Sequence, residues 1–394
     1  MRKSAGDTSR RLVGVDVARG LALIGMAATH IFPGFEPDGD LHLSHAVASG
    51  RASALFAVLA GVGLGLASGG ARRLQGSELR AARFGVLARA CLLAAVGLLL
   101  GLVDSPPLVI LAYYGLLFLV AVPVLGLSAR ALAALAVVAA VVAPVASYAL
   151  RTTMEAGPVE EPGGPDLLVD LLLTGTYPVL TWTTYLFAGL AVGRLRLGRW
   201  AVAGRLLALG VVLAVSAKVM SAALLDAVGG PERLAATGDQ PLESVESSLA
   251  SGMFGATPTS DWRWLTVSAP HSGTTLDLVH TVGVAFAVLG TCLLLARLLP
   301  TLALLPLAAV GSMTFTLYSL HVLALAKDSP FLVEDRQTLW TAHVVVALVV
   351  ASLWRTSVGR GPLEALAAWL ARRARRAAGG DSGDREDQSV LSDR

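Results

Sequence analysis

Residues 107–127 read PLVILAYYGLLFLVAVPVLGL, twenty-one consecutive positions with no charged side chain. Wound as an α-helix at about 1.5 Å per residue, the stretch is about 30 Å long, which matches the hydrocarbon thickness of a bilayer. Moving outward, residues 131–150 are also uncharged, 85–103 hold only Arg89, and 49–69 hold only Arg51. The same signature, with at most two Asp, Glu, Lys or Arg each, recurs at 13–32, 177–195, 202–225, 274–297, 303–325 and 338–357. Composition agrees: 55% of the 394 residues are hydrophobic and 15% charged, where a soluble domain carries about a quarter charged. In lipid every backbone polar group must be bonded within its own segment. The sequence therefore predicts an all-α, polytopic membrane helix bundle of about ten transmembrane helices.

Charges between these stretches predict the orientation. Arg2, Lys3, Arg10 and Arg11 precede the first; Arg72, Arg73, Arg80 and Arg83 separate the second from the third; Arg194, Arg196 and Arg199 follow the sixth. Alternate connections are acidic, with Glu36, Asp38 and Asp40, then Glu155, Glu160, Glu161 and Asp166, then Glu232, Asp239, Glu243 and Glu246. Basic loops stay on the cytoplasmic side, so both termini are expected in the cytoplasm of a multi-pass cell-membrane protein. Residues 1–12 form a basic N-terminus and 13–357 the transmembrane domain. The long connection 228–273 is expected to be a partly ordered outer cap, with Trp262 and Trp264 at the membrane–water interface. Residues 358–378, with the basic cluster Arg372–Arg376, predict an amphipathic helix on the anionic membrane surface, and 379–394 a disordered tail. No small-residue cleavage site follows the first apolar run, which therefore reads as a retained span.

Cys91 and Cys292 lie inside apolar runs without metal-ligand company, so free thiols and no metal site are expected. Basic residues flank helices instead of forming a stripe with aromatics, which argues against nucleic acid as a partner. The histidines carry more information. His30, His42, His45, His271, His280, His321 and His343 all fall in the outer half of the drawn topology, and imidazole is the side chain best suited to proton transfer near neutrality. Asp16 and Arg19, three apart on the first helix, can neutralise each other. Arg19 and His30 are eleven apart, about 16 Å along the axis and close to the same face. Asp277 and His280 repeat a three-residue spacing in which a carboxylate could orient an imidazole, and Arg51 is the remaining cation nearby. The pattern points to an outward-facing catalytic or proton-handling cavity. For any one histidine, the plainer reading is an interfacial residue bonded to a neighbour.

Several motifs look familiar together: RLVGVDVARGLALIGMAATH over 11–30, ALFAVLAGVG over 54–63, AYYGLLF over 112–118, YPVLTW over 177–182, HSGTT over 271–275, GSMTFTLYSLH over 311–321 and GPLE over 361–364. This ordered set resembles the transmembrane acyltransferase superfamily. That superfamily takes in the acyltransferase-3 proteins, with an arginine, ten residues and a histidine on the first helix. It also includes heparan-alpha-glucosaminide N-acetyltransferase and its bacterial relatives. The resemblance implies transfer of an acyl group, foremost acetyl, from cytoplasmic acyl-CoA (acetyl-CoA) to a hydroxyl or amine at the opposite face. It nominates Arg19 and His30 by the helix motif, and His45 or His42 by position in the first outer loop.

Joined to the charge pattern, the resemblance gives a mechanism. Arg83, Arg89 or Arg194 would hold the donor's phosphates, and Arg19 would polarise the thioester carbonyl. His30 would act as general base or transient acyl carrier. His280 with Asp277, and His321, would orient the acceptor or relay the proton, while Arg51, His271 and Tyr318 would line the acceptor side. Expected partners are membrane lipids and a glycan or small-molecule acceptor of the cell envelope; a homodimer is compatible with the same reading. The competing class is a proton-coupled transporter or flippase of a lipid or sugar precursor using the same histidines. A third is a non-catalytic membrane partner of envelope enzymes. The lack of evident internal repeats and the Arg-x10-His helix favour the enzyme.

Overall fold

The computed structural model describes residues 3–154 and 167–379, with side chains from Val13 onward. Among the described residues there is no strand, only one isolated bridge between Phe35 and Leu41. The helices in chain order are α1 (Lys3–Ile31), α2 (Leu43–Ala48), α3 (Arg51–Ala67), α4 (Gly76–Gly101), α5 (Leu111–Val124), α6 (Ala129–Thr153), α7 (Leu167–Val169), α8 (Val179–Gly193), α9 (Trp200–Ala227), α10 (Gly230–Gly238), α11 (Leu242–Ser251), α12 (Thr275–Leu298), α13 (Thr301–Ser312), α14 (Thr314–Ala324), α15 (Arg336–Ser357) and α16 (Pro362–Ala377).

Every apolar stretch falls on a helix, but one is not straight. The stretch 303–325 breaks into α13 and α14, bent by 68°. Among the described residues six helices are long and apolar enough to cross a membrane, or seven if the bent pair counts as one span; α5 and α8 are shorter apolar helices. That count is coarser than the ten spans expected from hydropathy. The break falls at Gly311-Ser-Met-Thr314, where the backbone of Gly311 lies against the carbonyl of Asp16 on α1 with no room for a side chain.

The centre of the bundle is α3, α8 and α12. About 72% of the apolar window ending α3 and 61% of that of α12 are buried, against 11% for α15 at the periphery. Two small-residue pairs bring α3 and α8 together: Gly61 and Gly65 face Gly189 and Gly193, and a Cβ on any of them would strike the opposite backbone. Without water to drive association, such close backbone packing is a main source of attraction between helices in lipid. Around this pair, α1 packs on α12, α13 and α3; α9 lies along α12; α6 covers α8; α4 pairs with α5, and α16 lies along α4.

The segment 228–273 lies entirely within the described residues. Helices α10 and α11 and the 3-10 turn Trp262–Thr266 close a small core of Leu234, Val245, Trp264 and Val267. Trp264 is 1% exposed and belongs to that core, unlike the interface ring expected from the sequence, whereas Trp262 is 55% exposed. The cap is pinned to the bundle by the Arg151 guanidinium on the Thr257 carbonyl, the Tyr148 hydroxyl on Thr259 and Lys218 Nζ on Ser268. Residues 3–12 continue α1 as helix, and residues 362–377 of the expected C-terminal segment form α16. The acidic connection 155–166 and the tail from 380 lie outside the described residues.

Candidate functional site

Helix α1 connects two polar regions. Near its N-terminal half, Asp16 sits between two cations: Arg19 Nη1 is 3.3 Å from Oδ1 and Arg355 Nη1 is 3.8 Å from Oδ2. The Arg19 guanidinium also reaches the Leu59 carbonyl at 3.5 Å, and a Cβ at Gly63 would lie 2.6 Å from Nη2. The bareness of Gly63 is what leaves room for the charge. Arg19 and Arg89 line one cavity of about 240 Å³ with Phe56, Tyr114, Phe118 and Phe315. Phe56 and Tyr114 stack with centroids 5.7 Å apart, and the buried Tyr114 hydroxyl has no hydrogen-bond partner among the described residues. The cavity is thus apolar, with two guanidiniums and one open hydroxyl.

Of the three arginines the sequence offered for phosphates, only Arg89 faces this cavity. Arg83 donates to the carbonyls of Val122 and Pro123. Arg194 donates to the carbonyls of Gly65, Ser68, Gly70 and Leu125 and to the Ser68 hydroxyl, tying off the α3 C-terminus. Both are consumed by backbone acceptors. The cavity also touches the start of α14, whose first amides are held by Glu364 from α16: Phe315 N at 2.7 Å and Thr316 N at 3.1 Å on Oε1, with the Thr316 hydroxyl at 2.6 Å on Oε2. An anion at a helix N-terminus satisfies orphan amides and complements the dipole.

At the other end of α1 the histidines gather. His30 Nδ1 is 3.1 Å from His321 Nε2, the rings stacked at 5.3 Å, and His343 meets His321 edge-on at 5.3 Å. His45 and His271 lie close enough to act on His30 electrostatically. Four short-range choices bring these residues together: α1 ends at Ile31, α2 carries His45 back, the loop before α12 supplies His271, and the bend at Met313 redirects α14 so that His321 faces α1. His45 Nε2 donates to the Phe32 carbonyl at 3.3 Å. A carbonyl only accepts, so Nδ1 of His45 keeps its lone pair, and it has no partner among the described residues. His271 adopts φ +56°, the left-handed region, and packs edge-on to Tyr177. Burial, then the nearby His45, lowers its pKa to about 4, so its ring is neutral at physiological pH.

His42 is apart from the group, stacked on Phe32, with Nδ1 capping α2 at Ser44 and Nε2 3.4 Å from Glu36.

Three expectations are corrected by the geometry. Asp277 and His280 do not pair: the carboxylate turns back to the Gly273 amide at 3.1 Å, while His280 donates from Nδ1 to the Ala214 carbonyl and accepts at Nε2 from Arg51 Nε at 3.1 Å. Both nitrogens of His280 are therefore occupied, and Arg51 spends its Nε there and Nη1 on the Ala46 carbonyl. Tyr318 accepts from the Ile110 amide and donates to the Leu108 carbonyl, pinning the turn before α5. Buried and bonded at both positions, it holds structure and does not face an acceptor. Finally, Arg19 points back toward Asp16, with about 16 Å of helix between its Cα and that of His30. A carbonyl served by His30 is out of its reach.

Sequence reasoning passed over Lys218, Arg355 and Tyr114 as site residues, and left His343 and Glu364 without roles. Lys218 is a lone ammonium in the middle of an apolar helix, a signal that intramembrane charges need a function or a partner. Arg355 and Glu364 sit at helix ends where charge is commonplace, and only the fold brings them to Asp16 and α14.

Comparison with known families gives one match: the family model described as "Heparan-alpha-glucosaminide N-acetyltransferase, catalytic" matches residues 11–217. The matched segment contains Arg19, His30, His42, His45, Arg51 and Arg89, while His271, His280, His321 and His343 lie beyond it. No curated protein matches the chain. With a helical membrane-type bundle, an arginine in the middle of the first helix and a histidine near its C-terminal end, and a family match over more than half its length, the chain belongs to the heparan-alpha-glucosaminide N-acetyltransferase catalytic family.

Proposed function

We propose that the protein is a membrane acyltransferase that moves an acyl group, foremost acetyl, from cytoplasmic acyl-CoA to a hydroxyl or amine at the extracytoplasmic face. In this reading ten segments span or enter the cell membrane and both termini are cytoplasmic. The observation that carries it is the placement of Arg19 and His30 on one helix. The first lines a cavity with Arg89; the second is joined to His321 in a group of imidazoles.

Arg19 and Arg89 hold the anionic part of the donor, and its thioester extends along α1 to the histidines. The His30–His321 pair removes the acceptor proton as the new C–O or C–N bond forms at the thioester carbon. The C–S bond then breaks, and the departing thiolate takes the proton back from the imidazolium, leaving acylated acceptor and free CoA. A pair of coupled imidazoles suits this exchange because one ring can pass its proton to the other.

The test is transfer by purified full-length protein with acetyl-CoA, read as donor-dependent CoA release and acetylation of an added glycan or alcohol. His30→Gln should lower it by about 10²- to 10⁴-fold, the usual contribution of a positioned acid–base group. Unchanged turnover would end the assignment. The bent pair α13–α14 favours a second reading, since broken helices line substrate paths in transporters. A transporter would move substrate across sealed vesicles with no acyl donor present.

A further inference from the structure

A second cavity, about 340 Å³, opens between α1, α14 and α15 and is not used by the donor. Its lining includes Leu23, Ala27, Leu317, Leu320, Ala347 and Val350; among the described residues the only polar side chains that line it are His321 and His343. Leu320 is 53% exposed and Val346, across the groove on α15, is 58% exposed, so the opening faces the lipid side of the bundle. The volume falls in the range of about 300–1,000 Å³ typical of small-molecule sites.

What sets this groove apart from an ordinary gap between helices is its closed end. His321 is 7% exposed, its Nε2 is turned to His30, and its Nδ1 has no partner among the described residues. His343 donates from Nδ1 to the Leu339 carbonyl at 2.8 Å, which fixes the lone pair on Nε2, and that atom too has no partner. When His30 donates to His321, as it must to keep its own Nε2 free as a base, Nδ1 of His321 carries a hydrogen. The groove therefore ends in one open donor and one open acceptor, on rings 5.3 Å apart. Buried groups of this kind destabilise the fold while they stay unsatisfied. A hydroxyl completes both at once. A carboxylate could only accept and an ammonium only donate, and either charge would be expensive in an apolar groove.

We infer that this groove binds a long-chain lipid alcohol, its tail along α1, α14 and α15 and its hydroxyl between His321 and His343. The inference rests on the acyltransferase reading in one respect: it makes that hydroxyl the acyl acceptor, which on attack exchanges its bond to His343 for one to the free Nε2 of His30 and gives up its proton there. Both nitrogens are covered in this structure, so a hydroxyl reaches them as the groove widens. Helix α15, with only Leu339 and Ala351 buried, is the span best placed to yield.

The experiment uses the full chain in lipid nanodiscs containing a trace of octadecanol bearing a mid-chain diazirine. After irradiation, cross-links are mapped by mass spectrometry, with CoA release from acetyl-CoA measured on the same preparation. Labelling of α1, α14 and α15 should exceed that of the lipid-facing Val211, Val212 and Val215 on α9 by at least about fivefold. Unlabelled octadecanol should compete and octadecane should not. Ala347→Trp, which fills the groove, should abolish the excess. Labelling in proportion to exposed area, or equal competition by the alkane, overturns the proposal. Competed labelling without CoA release in the presence of octadecanol supports the site and overturns the enzymatic reading, whereas CoA release with uncompeted labelling overturns the groove alone.

Discussion

His30 and His321 are 291 residues apart in sequence, yet Nδ1 of one lies 3.1 Å from Nε2 of the other with the rings stacked. Two imidazoles in contact share one proton along the line between them, so whichever nitrogen takes up the acceptor proton, the pair titrates as a unit. Removing either ring should then do nearly as much harm as removing both. His30→Gln and His321→Gln are each expected to reduce turnover by about 10²- to 10⁴-fold. The double variant should lose little more, measured by acetyl-CoA-dependent CoA release. Losses that multiply would mean the rings act separately.

Gly63 offers a way to disturb Arg19 without touching it. A Cβ there would sit 2.6 Å from the guanidinium, so Gly63→Ala pushes the charge out of its seat between Asp16 and Leu59. Donor KM should rise severalfold while the melting temperature stays close to that of the parent, because only the far end of a flexible side chain has to give. An unchanged KM would remove Arg19 from donor binding.

Much of this was legible from residue order, and the division is physical. Hydropathy located the long apolar helices because burial in lipid demands about twenty apolar residues in sequence, a strictly local signal; it did not announce the short helices α2, α10 and α11. It could not show that 303–325 breaks, because the cause lies in the approach of Gly311 to Asp16 on another helix. The arginine and histidine on α1 were readable for the same local reason: eleven residues return to one face. Asp277 and His280 are also neighbours on one face, yet the fold gives each a different partner, Gly273 for one and Arg51 with Ala214 for the other. Spacing shows that two groups can meet; competing donors elsewhere decide whether they do. Arg194 shows the same limit, since nothing local announces that five acceptors will converge on its guanidinium.

His280 should therefore behave as a structural residue. Its two nitrogens join Arg51 on α3 to the Ala214 carbonyl on α9, and His280→Ala removes the acceptor of Arg51 Nε and the side-chain donor to that carbonyl. The expected result is about 1–3 kcal/mol of lost stability, seen as a lower melting temperature, with kcat of the folded fraction within about twofold of the parent. A large loss of kcat at unchanged stability would place His280 back in the chemistry.

His271 makes a pH-dependent prediction. Burial holds its folded pKa at about 4, below the ordinary 6.5. Between those values the unfolded chain binds a proton that the folded chain refuses, so stability falls as pH drops from about 6.5 toward 4 and is fully present above that window. His271→Asn keeps a residue that accepts the positive φ but cannot titrate. Melting temperatures taken from about pH 7 to about pH 4.5 should decline less steeply in the variant. Parallel declines would show that acid sensitivity arises elsewhere.

Glu364 links the surface helix to the broken span. Its carboxylate takes the Phe315 and Thr316 amides and the Thr316 hydroxyl of α14, and α14 is the helix that carries His321. Losing a side-chain acceptor at a helix N-terminus costs about 0.5–2 kcal/mol, so Glu364→Ala should destabilise by about that amount, and Glu364→Gln, which keeps an acceptor oxygen but not the charge, by less. The same cap fixes the direction of α14 at the bend, so the damage should extend beyond stability. Turnover should fall in the order parent, Gln, Ala, because a tilt at Phe315 is carried about 9 Å along the helix to His321. Measuring both quantities separates the two effects. If melting falls while turnover per folded molecule does not, the bend is set by the Gly311–Asp16 contact alone and Glu364 merely ties α16 to the bundle.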